Sequence, residues 1–185
     1  YDANDSHSDV LPALLMAQGQ PRRTWFGLLE RSLFHAHKLD VSVSLSNGML
    51  RKVTDRYGLD QLLAARATPG GPVGALLSIE GLQNLEGKIG NLDKLYDAGF
   101  RMAGLTHFFD NELAGSMHGM TKGGLTPFGR EVVRRMEDIG MIVDVAHCSH
   151  ACVADVLKIA RRPVVSSHGG VQAMCKINRN LTDAE

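Results

Sequence analysis

The sequence predicts an α/β chain built from successive parallel βαβ units, and three observations carry that prediction. Short apolar runs bounded by Gly and Pro alternate with stretches of helical periodicity, the pattern of buried parallel strands separated by single helices. Three of those runs end on a metal-capable side chain: Ala75–Ile79 on Glu80, Met141–Ala146 on His147, and Pro163–Ser167 on His168. Near the start, Asp5-Ser6-His7-Ser8-Asp9 places a His-x-Asp pair ahead of apolar Val10-Leu11. Ligand-type residues at the C-terminal ends of several parallel strands are the layout of a (β/α)-barrel active site.

The elements follow in order. A first strand is expected near residues 5–11, then a short segment with Gly19, Gln20 and Pro21. A helix is expected from Trp25 to Leu45, with Phe26, Leu29, Leu33 and Leu39 among charges, and a shorter one over Asp60–Ala67. Thr68-Pro69-Gly70-Gly71-Pro72 reads as a loop, and Val73–Ile79 as the next strand. Leu85, Ile89, Leu92 and Leu95-Tyr96 recur at helical spacing up to Gly99, a helix stop. Phe100–Thr106 reads as a strand ending on His107, followed by a polar, Gly-rich excursion over Asp110–Gly124. Thr126 as N-cap and Pro127 at the first helical position open a helix that buries Phe128, Val132, Val133, Met136 and Ile139 and ends at Gly140. The strand to His147 comes next, then a helix capped by Ser149 with Val153, Val156, Leu157 and Ala160 inward. Pro163 begins the last strand, to His168.

The chain has 185 residues, 44% hydrophobic and 22% charged, an ordinary globular composition with enough apolar mass for one core. Residues 1–185 are therefore expected to form a single domain. Lys plus Arg and Asp plus Glu number 20 each, and no basic stripe points to nucleic acid. No run approaches the ~18 apolar residues of a membrane span. Tyr1 is not a natural start, so a removed upstream segment is expected. Cys148, Cys152 and Cys175 are an odd number, not a disulfide framework, and all three are expected to be small buried residues. Cysteine usage leaves the compartment open, with a soluble protein of the cytoplasm slightly favoured over a periplasmic or secreted one.

His7 and Asp9 alternate along a strand and so face one side, where both can reach one ion. Alone, the triplet reads equally as a capped strand end. Glu80 follows a mostly apolar run, where a carboxylate is costly without a partner; beside cations it becomes a bridging ligand, and before Gly81 it also reads as a carboxylate facing the next helix. His147 and His168 occupy equivalent positions of successive units, and neighbouring strands sit about 5 Å apart. Imidazole and carboxylate together suit zinc and similar divalent ions. The set His7, Asp9, Glu80, His147 and His168 exceeds one tetrahedral zinc and suits two ions sharing a carboxylate, the arrangement of a two-metal hydrolase. His107, ending a strand of its own, can reach the same mouth as a substrate or oxyanion contact, and Arg179 reads either as an ordinary exposed arginine or as a bidentate partner for a substrate carboxylate. Asp144 is read as orienting a ligand from behind, while His118 and His150 are read as solvated and His35 and His37 as surface residues.

Taken together, these segments resemble the membrane (renal) dipeptidase family, the peptidase M19 zinc dipeptidases. Asp5-Ser6-His7-Ser8-Asp9 is similar to the family's D-x-H-x-D motif, Ser78-Ile79-Glu80-Gly81 to its strand-end glutamate, and Leu105-Thr106-His107, followed by Asn111, to its L-T-H segment. Gly124-Leu125-Thr126-Pro127-Phe128-Gly129 and Val143-Asp144-Val145-Ala146-His147-Cys148-Ser149 resemble its G-L-T-x-F-G and D-x-S-H-x-S signatures, with Ala146 where Ser is frequent. Ser167-His168 and Arg179-Asn180 complete the series. The resemblance implies a (β/α)8 TIM barrel of the metal-dependent hydrolase type and a zinc dipeptidase activity. His7 and Asp9 are then expected to hold one zinc ion, His147 and His168 a second, with Glu80 bridging the two. By the same resemblance, a hydroxide between the ions would attack the peptide carbonyl, with Glu80 and His107 in the catalytic set. His107 and Arg179 would bind substrate, Arg179 through the C-terminal carboxylate of the dipeptide. A homodimer is also implied.

Two departures set further expectations. The family has a strand between the His-x-Asp unit and the long helix, and the short Leu11–Trp25 interval leaves no room for it. The sequence also ends at Glu185, before the family's last strands and the aspartate they carry, whereas a complete barrel typically needs about 250 residues. A partial barrel of about five of the eight strands is expected, with exposed strand edges. Two other functions fit the residues: a metal-dependent amidohydrolase acting on a lactam, lactone or N-acyl bond, and a non-catalytic barrel remnant that only binds metal or a partner.

Overall fold

The computed structural model describes residues 11–185. The expected first strand lies outside that span apart from Leu11, which belongs to no element. The Leu11–Trp25 interval holds a short helix, α1 (Pro12–Ala17), and a 3₁₀ turn over Arg22–Thr24 rather than a strand. Pro12 at the first helical position suits that start, since its missing N–H has no intrahelical acceptor there. The long helix α2 runs Leu28–Leu45. Unexpectedly, a strand follows it, β1 (Leu50–Lys52). Its Leu-Arg-Lys sequence offers a single apolar residue and no strand-like periodicity, so it was invisible to pattern alone.

Helix α3 (Arg56–Ala65) starts earlier than the apolar spacing suggested, because Asp55 caps it by accepting from Gly58 N at 2.7 Å. The apolar run 73–79, expected as one strand, is two. β2 (Val73–Ala75) pairs in parallel with β1, and β3 (Leu77–Glu80) pairs in parallel with β4 (Phe100–Gly104). The break falls at exposed Leu76, where the chain passes from one ladder to the next. β4 in turn pairs in parallel with β5 (Ile142–Asp144), giving the order β3-β4-β5. The last expected strand is reduced to a parallel bridge between Val165 and Asp144, held by Val145 N to Val165 O at 2.8 Å and Val165 N to Val143 O at 3.0 Å.

The periodic segment after β3 also divides. A 3₁₀ turn spans Leu82–Leu85, Glu86 and Gly87 take positive φ, and α4 (Gly90–Asp97) follows. Gly99, with φ 104°, stops α4 as expected. α5 (Pro127–Ile139) has the expected ends: Thr126 accepts from Gly129 N at 3.0 Å, and Gly140 turns out with φ 82°. α6 (His150–Ile159) is capped by Ser149, which accepts from Cys152 N at 3.0 Å.

The core lies between the β3-β4-β5 sheet and helices α4, α5 and α6. Leu92, Leu95, Leu105, Val132, Val133, Met136, Val153 and Val156 are fully or almost fully buried there. Each contributes about 1.5–3 kcal/mol of apolar burial. Leu157, expected inward, is instead 45% exposed, and Cys175 is exposed while Cys148 and Cys152 are buried. Leu157 directly follows Val156, and adjacent helical residues face directions about 100° apart. No helix among the described residues is long and apolar enough to cross a membrane.

Candidate metal centre

Parallel pairing puts Glu80, Gly104 and Asp144 level across β3, β4 and β5. All the strand ends that carry chemistry therefore open on one edge of the sheet. Glu80 is the last residue of β3. His147 does not end a strand as expected, because β5 stops at Asp144 and His147 sits in the following turn with φ 65°. That left-handed conformation is costly for a residue with a Cβ. It reverses the chain so that the ring faces Glu80 while the backbone enters α6. Met117 N donates to His147 O at 2.7 Å, anchoring the turn to the loop opposite.

Three donor atoms converge at this edge. His147 Nε2 lies 2.9 Å from Glu80 Oε1, His168 Nε2 lies 3.2 Å from the same oxygen, and the two imidazole nitrogens are 2.8 Å apart. Zinc bonds of ~2.0–2.1 Å in tetrahedral geometry separate ligand atoms by about 3.3 Å. The triad is a few tenths of an ångström from that spacing, and its carboxylate and two imidazoles are a donor set that zinc accepts. His147 is 8% exposed, and its Nδ1 has no hydrogen-bond partner among the described residues. Burial, followed by the nearby charges of Arg179 and His107, lowers its pKa to about 4 against the opposing pull of Glu80. The ring is consequently neutral at physiological pH, the form that ligates a metal.

His107 is third around Glu80, with Nε2 at 3.5 Å from Oε1. Its ring meets His147 edge-on at 4.7 Å and Phe108 at 4.1 Å. Burial lowers its pKa, with Glu80 opposing and His118, His168 and Arg179 adding to the shift. The Asp110–Gly124 excursion is a built wall rather than a loose loop. Asp110 accepts from Ser116 N and Thr121 N, both at 2.7 Å, and from the Thr121 hydroxyl at 2.8 Å. Asn111 joins the wall to the end of β4, donating to Leu105 O at 2.8 Å and accepting from Leu113 N at 2.9 Å. This wall carries His118 to the mouth, 5.5 Å ring to ring from both His147 and Phe108. His118 is exposed, as expected, but its place beside the donors was not foreseen, because its spacing in sequence matches no strand end.

Arg179 closes the other side. Its Nη2 donates to His168 O at 3.0 Å, and its charge lowers the pKa of His107, His118 and His147. Buried Asn180 knots the segment behind it, accepting from Gly170 N at 3.0 Å and donating to Cys175 O at 2.8 Å. His150, read as solvated, instead holds Glu185 at 2.6 Å through Nδ1. His35 and His37 are exposed on α2. His7 and Asp9, the expected ligands of a second ion, lie outside the described residues.

Parallel strands that bring a carboxylate and two imidazoles to one edge define the class, the wall of a (β/α) barrel with a candidate metal site. The family model for membrane dipeptidase, peptidase family M19, matches residues 40–185, and the chain belongs to that family. Over 115 residues it is 38% identical to the dipeptidase aclJ of Aspergillus oryzae, a match covering 61% of this chain and 27% of that protein. The chain thus spans about a quarter of the length of this curated relative. Among solved structures, the probable dipeptidase PvdM of Pseudomonas aeruginosa superposes with a TM-score of 0.74 at 26% identity, over 80% of this chain and 38% of that one. A metallopeptidase of Rhodobacter sphaeroides, liganded with a phosphinate mimic of the dipeptide L-Ala-D-Ala, superposes with a TM-score of 0.67 at 22% identity, over 80% of this chain and 43% of that one. The β3-β4-β5 sheet and its helices are accordingly part of a (β/α)-barrel wall.

Proposed function

We propose that this chain carries the metal-binding edge of a dipeptidase that hydrolyses the peptide bond of free dipeptides. Glu80, His147 and His168 would hold one zinc ion, His7 and Asp9 a second, with Glu80 shared between them. Zinc at this edge supplies a Lewis acid for the scissile carbonyl and a water activated near neutral pH. The observation that carries the reading is the convergence of the three donor atoms within 2.8–3.2 Å in a chain of this family.

The remaining roles follow from position and charge. His107, neutral and beside Glu80, donates an N–H to the oxygen that gains charge as the carbonyl carbon becomes tetrahedral. Arg179 grips the carboxylate of the substrate's C-terminal residue with its planar fork of donors. Its guanidinium, tethered to His168 O, holds that carboxylate close to the donor triad. A longer peptide offers no carboxylate at that distance, so selection for dipeptides follows from the clamp. The wall pinned by Asp110 lines the mouth and holds His118 beside the donor set.

A substrate panel tests this reading. Zinc-loaded protein is expected to cleave free dipeptides and to lose most of its activity when the C-terminal carboxylate is replaced by an amide. Cleavage of N-acyl amino acids or lactams with dipeptides untouched would assign the site to a different amide hydrolase.

A further inference from the structure

We infer that Asp144 and Ser167 form a hydrogen-bond relay that sets the tautomer of His168 and aims its Nε2 at Glu80 and His147. Both are positioning residues, since they act on the side of the ring that faces away from the donor triad. The inference rests on the metal-centre reading above and adds how one of its ligands is held.

The relay starts in the sheet. Asp144 is the last residue of β5, 5% exposed, and bridged in parallel to Val165. Its Oδ1 accepts from Ala146 N at 2.9 Å and from Ser167 N at 3.0 Å. Those two bonds fix the carboxylate at the point where the chain leaves β5 and where the Val165 segment ends. Its Oδ2 accepts the hydroxyl of Ser167.

A serine hydroxyl has one hydrogen and two acceptor lone pairs. With that hydrogen given to the Asp144 carboxylate, Ser167 Oγ has only acceptor capacity left. The group facing it is His168 Nδ1, at 3.0 Å. The bond forms only if Nδ1 carries the proton. A neutral imidazole protonated at Nδ1 has its free lone pair on Nε2, the nitrogen 3.2 Å from Glu80 Oε1 and 2.8 Å from His147 Nε2. The buried carboxylate therefore selects the ligating nitrogen of a half-exposed ring through one hydroxyl.

His147 shows the contrast. Its Nδ1 has no such partner among the described residues, and its ring is confined by burial and by the neighbouring rings of His107, Phe108, His118 and His168. His168 lies on the exposed rim, where packing does not hold a ring, and a hydrogen bond takes over that task. Outer partners of this kind typically change metal affinity about 10–100-fold when removed.

The test uses Ser167→Ala and Ser167→Thr. Ser167 is exposed, so neither change empties the core, and circular dichroism of the metal-free proteins is expected to match the parent, with Ser167→Ala unfolding at a somewhat lower temperature because the Asp144 carboxylate loses a partner. Zinc affinity, measured by competition with a chromophoric chelator, is expected to fall about tenfold or more in Ser167→Ala and to stay within about twofold in Ser167→Thr. Nitrogen-15 NMR of the metal-free protein adds a readout independent of zinc. His168 is expected to be protonated at Nδ1 in the parent and in Ser167→Thr, and to shift towards Nε2 protonation in Ser167→Ala. Unchanged zinc affinity in Ser167→Ala, or an Nε2-protonated His168 in the parent, overturns the relay. A parent that binds no zinc at all overturns the metal-centre reading instead, and the NMR result still decides the relay.

Discussion

Glu80 Oε1 and His147 Nε2 lie 2.9 Å apart, one at the end of β3 and the other in the turn after β5, the two strands that flank β4. The carboxylate side chain is half exposed and the imidazole is buried, so the pair joins a rim oxygen to a neutral ring in the wall. A divalent ion shared between them would tie β3 to the β5–α6 turn. Zinc is therefore expected to stabilise the protein by about 2.7 kcal/mol at a free concentration one hundred times its Kd. Differential scanning fluorimetry with added zinc reads this as a rise in Tm, which Glu80→Ala and His147→Ala are expected to abolish.

Arg179 is expected to act on substrate binding more than on the chemical step. Arg179→Ala should raise KM for dipeptides on the order of a hundredfold, the loss of a bidentate charge-assisted contact, with a much smaller fall in kcat. Arg179→Lys should recover only part of the loss, because a point charge does not reproduce the planar fork. Steady-state kinetics on the zinc-loaded protein separate the two constants. A fall in kcat at constant KM would remove Arg179 from the role of carboxylate clamp.

Much of this architecture can be read from residue order, and the points that cannot have physical causes. Glu80 and His168 stand out because each follows an apolar run, α5 because of its Thr126-Pro127 cap, and β4 because it starts after the Gly99 helix stop, although it ends at Gly104 rather than Thr106. Strand partners are set by tertiary contacts instead. The apolar run 73–79 divides between two ladders at Leu76, and polar β1 is a strand because β2 lies beside it. The left-handed turn at His147 leaves no trace in composition, since histidine is not a residue that favours positive φ as glycine does. His118 reaches the mouth only because Asp110 folds the intervening wall around its carboxylate. The roles expected for Glu80, His107, Arg179 and the candidate metal ligands rest on the family resemblance and the strand-end pattern together, and His7 and Asp9 fall outside the described residues.

Thr126 does more than cap α5. It accepts from Gly129 N at 3.0 Å and donates to Glu112 O at 2.6 Å, so it also fastens the wall that carries His118. Thr126→Ala is expected to cost about 1–2 kcal/mol, and Thr126→Ser much less. Urea unfolding followed by circular dichroism measures both, and equal stability of Thr126→Ala and the parent would contradict the double role.

Glu137 sets an acid limit on the fold. Burial alone would raise its pKa, but the Arg161 guanidinium, 2.9 Å away, and the backbone amides of Arg161 and Arg162 outweigh that and hold it below the ordinary carboxylate value. A carboxyl whose pKa is lower folded than unfolded binds more protons in the unfolded chain. Its contribution is present above the unfolded value and is lost as pH falls through the folded one. Stability is accordingly expected to decline below about pH 4–5, near the ordinary Glu pKa, and the decline should be shallower in Glu137→Gln. That variant should also be less stable at neutral pH by about 1–3 kcal/mol, because amides that face a carboxylate then meet a poorer partner. Denaturant melts across a pH series compare the two proteins directly.

The central claim is that Glu80, His147 and His168 bind one ion together. Crystals grown with zinc, with diffraction collected on both sides of the zinc absorption edge, locate it without reference to activity. An anomalous peak about 2.0–2.2 Å from Glu80 Oε1, His147 Nε2 and His168 Nε2 is the predicted result. No peak at that edge in zinc-saturated crystals, or a peak bound by other residues with these three side chains still bonded only to one another, would contradict it.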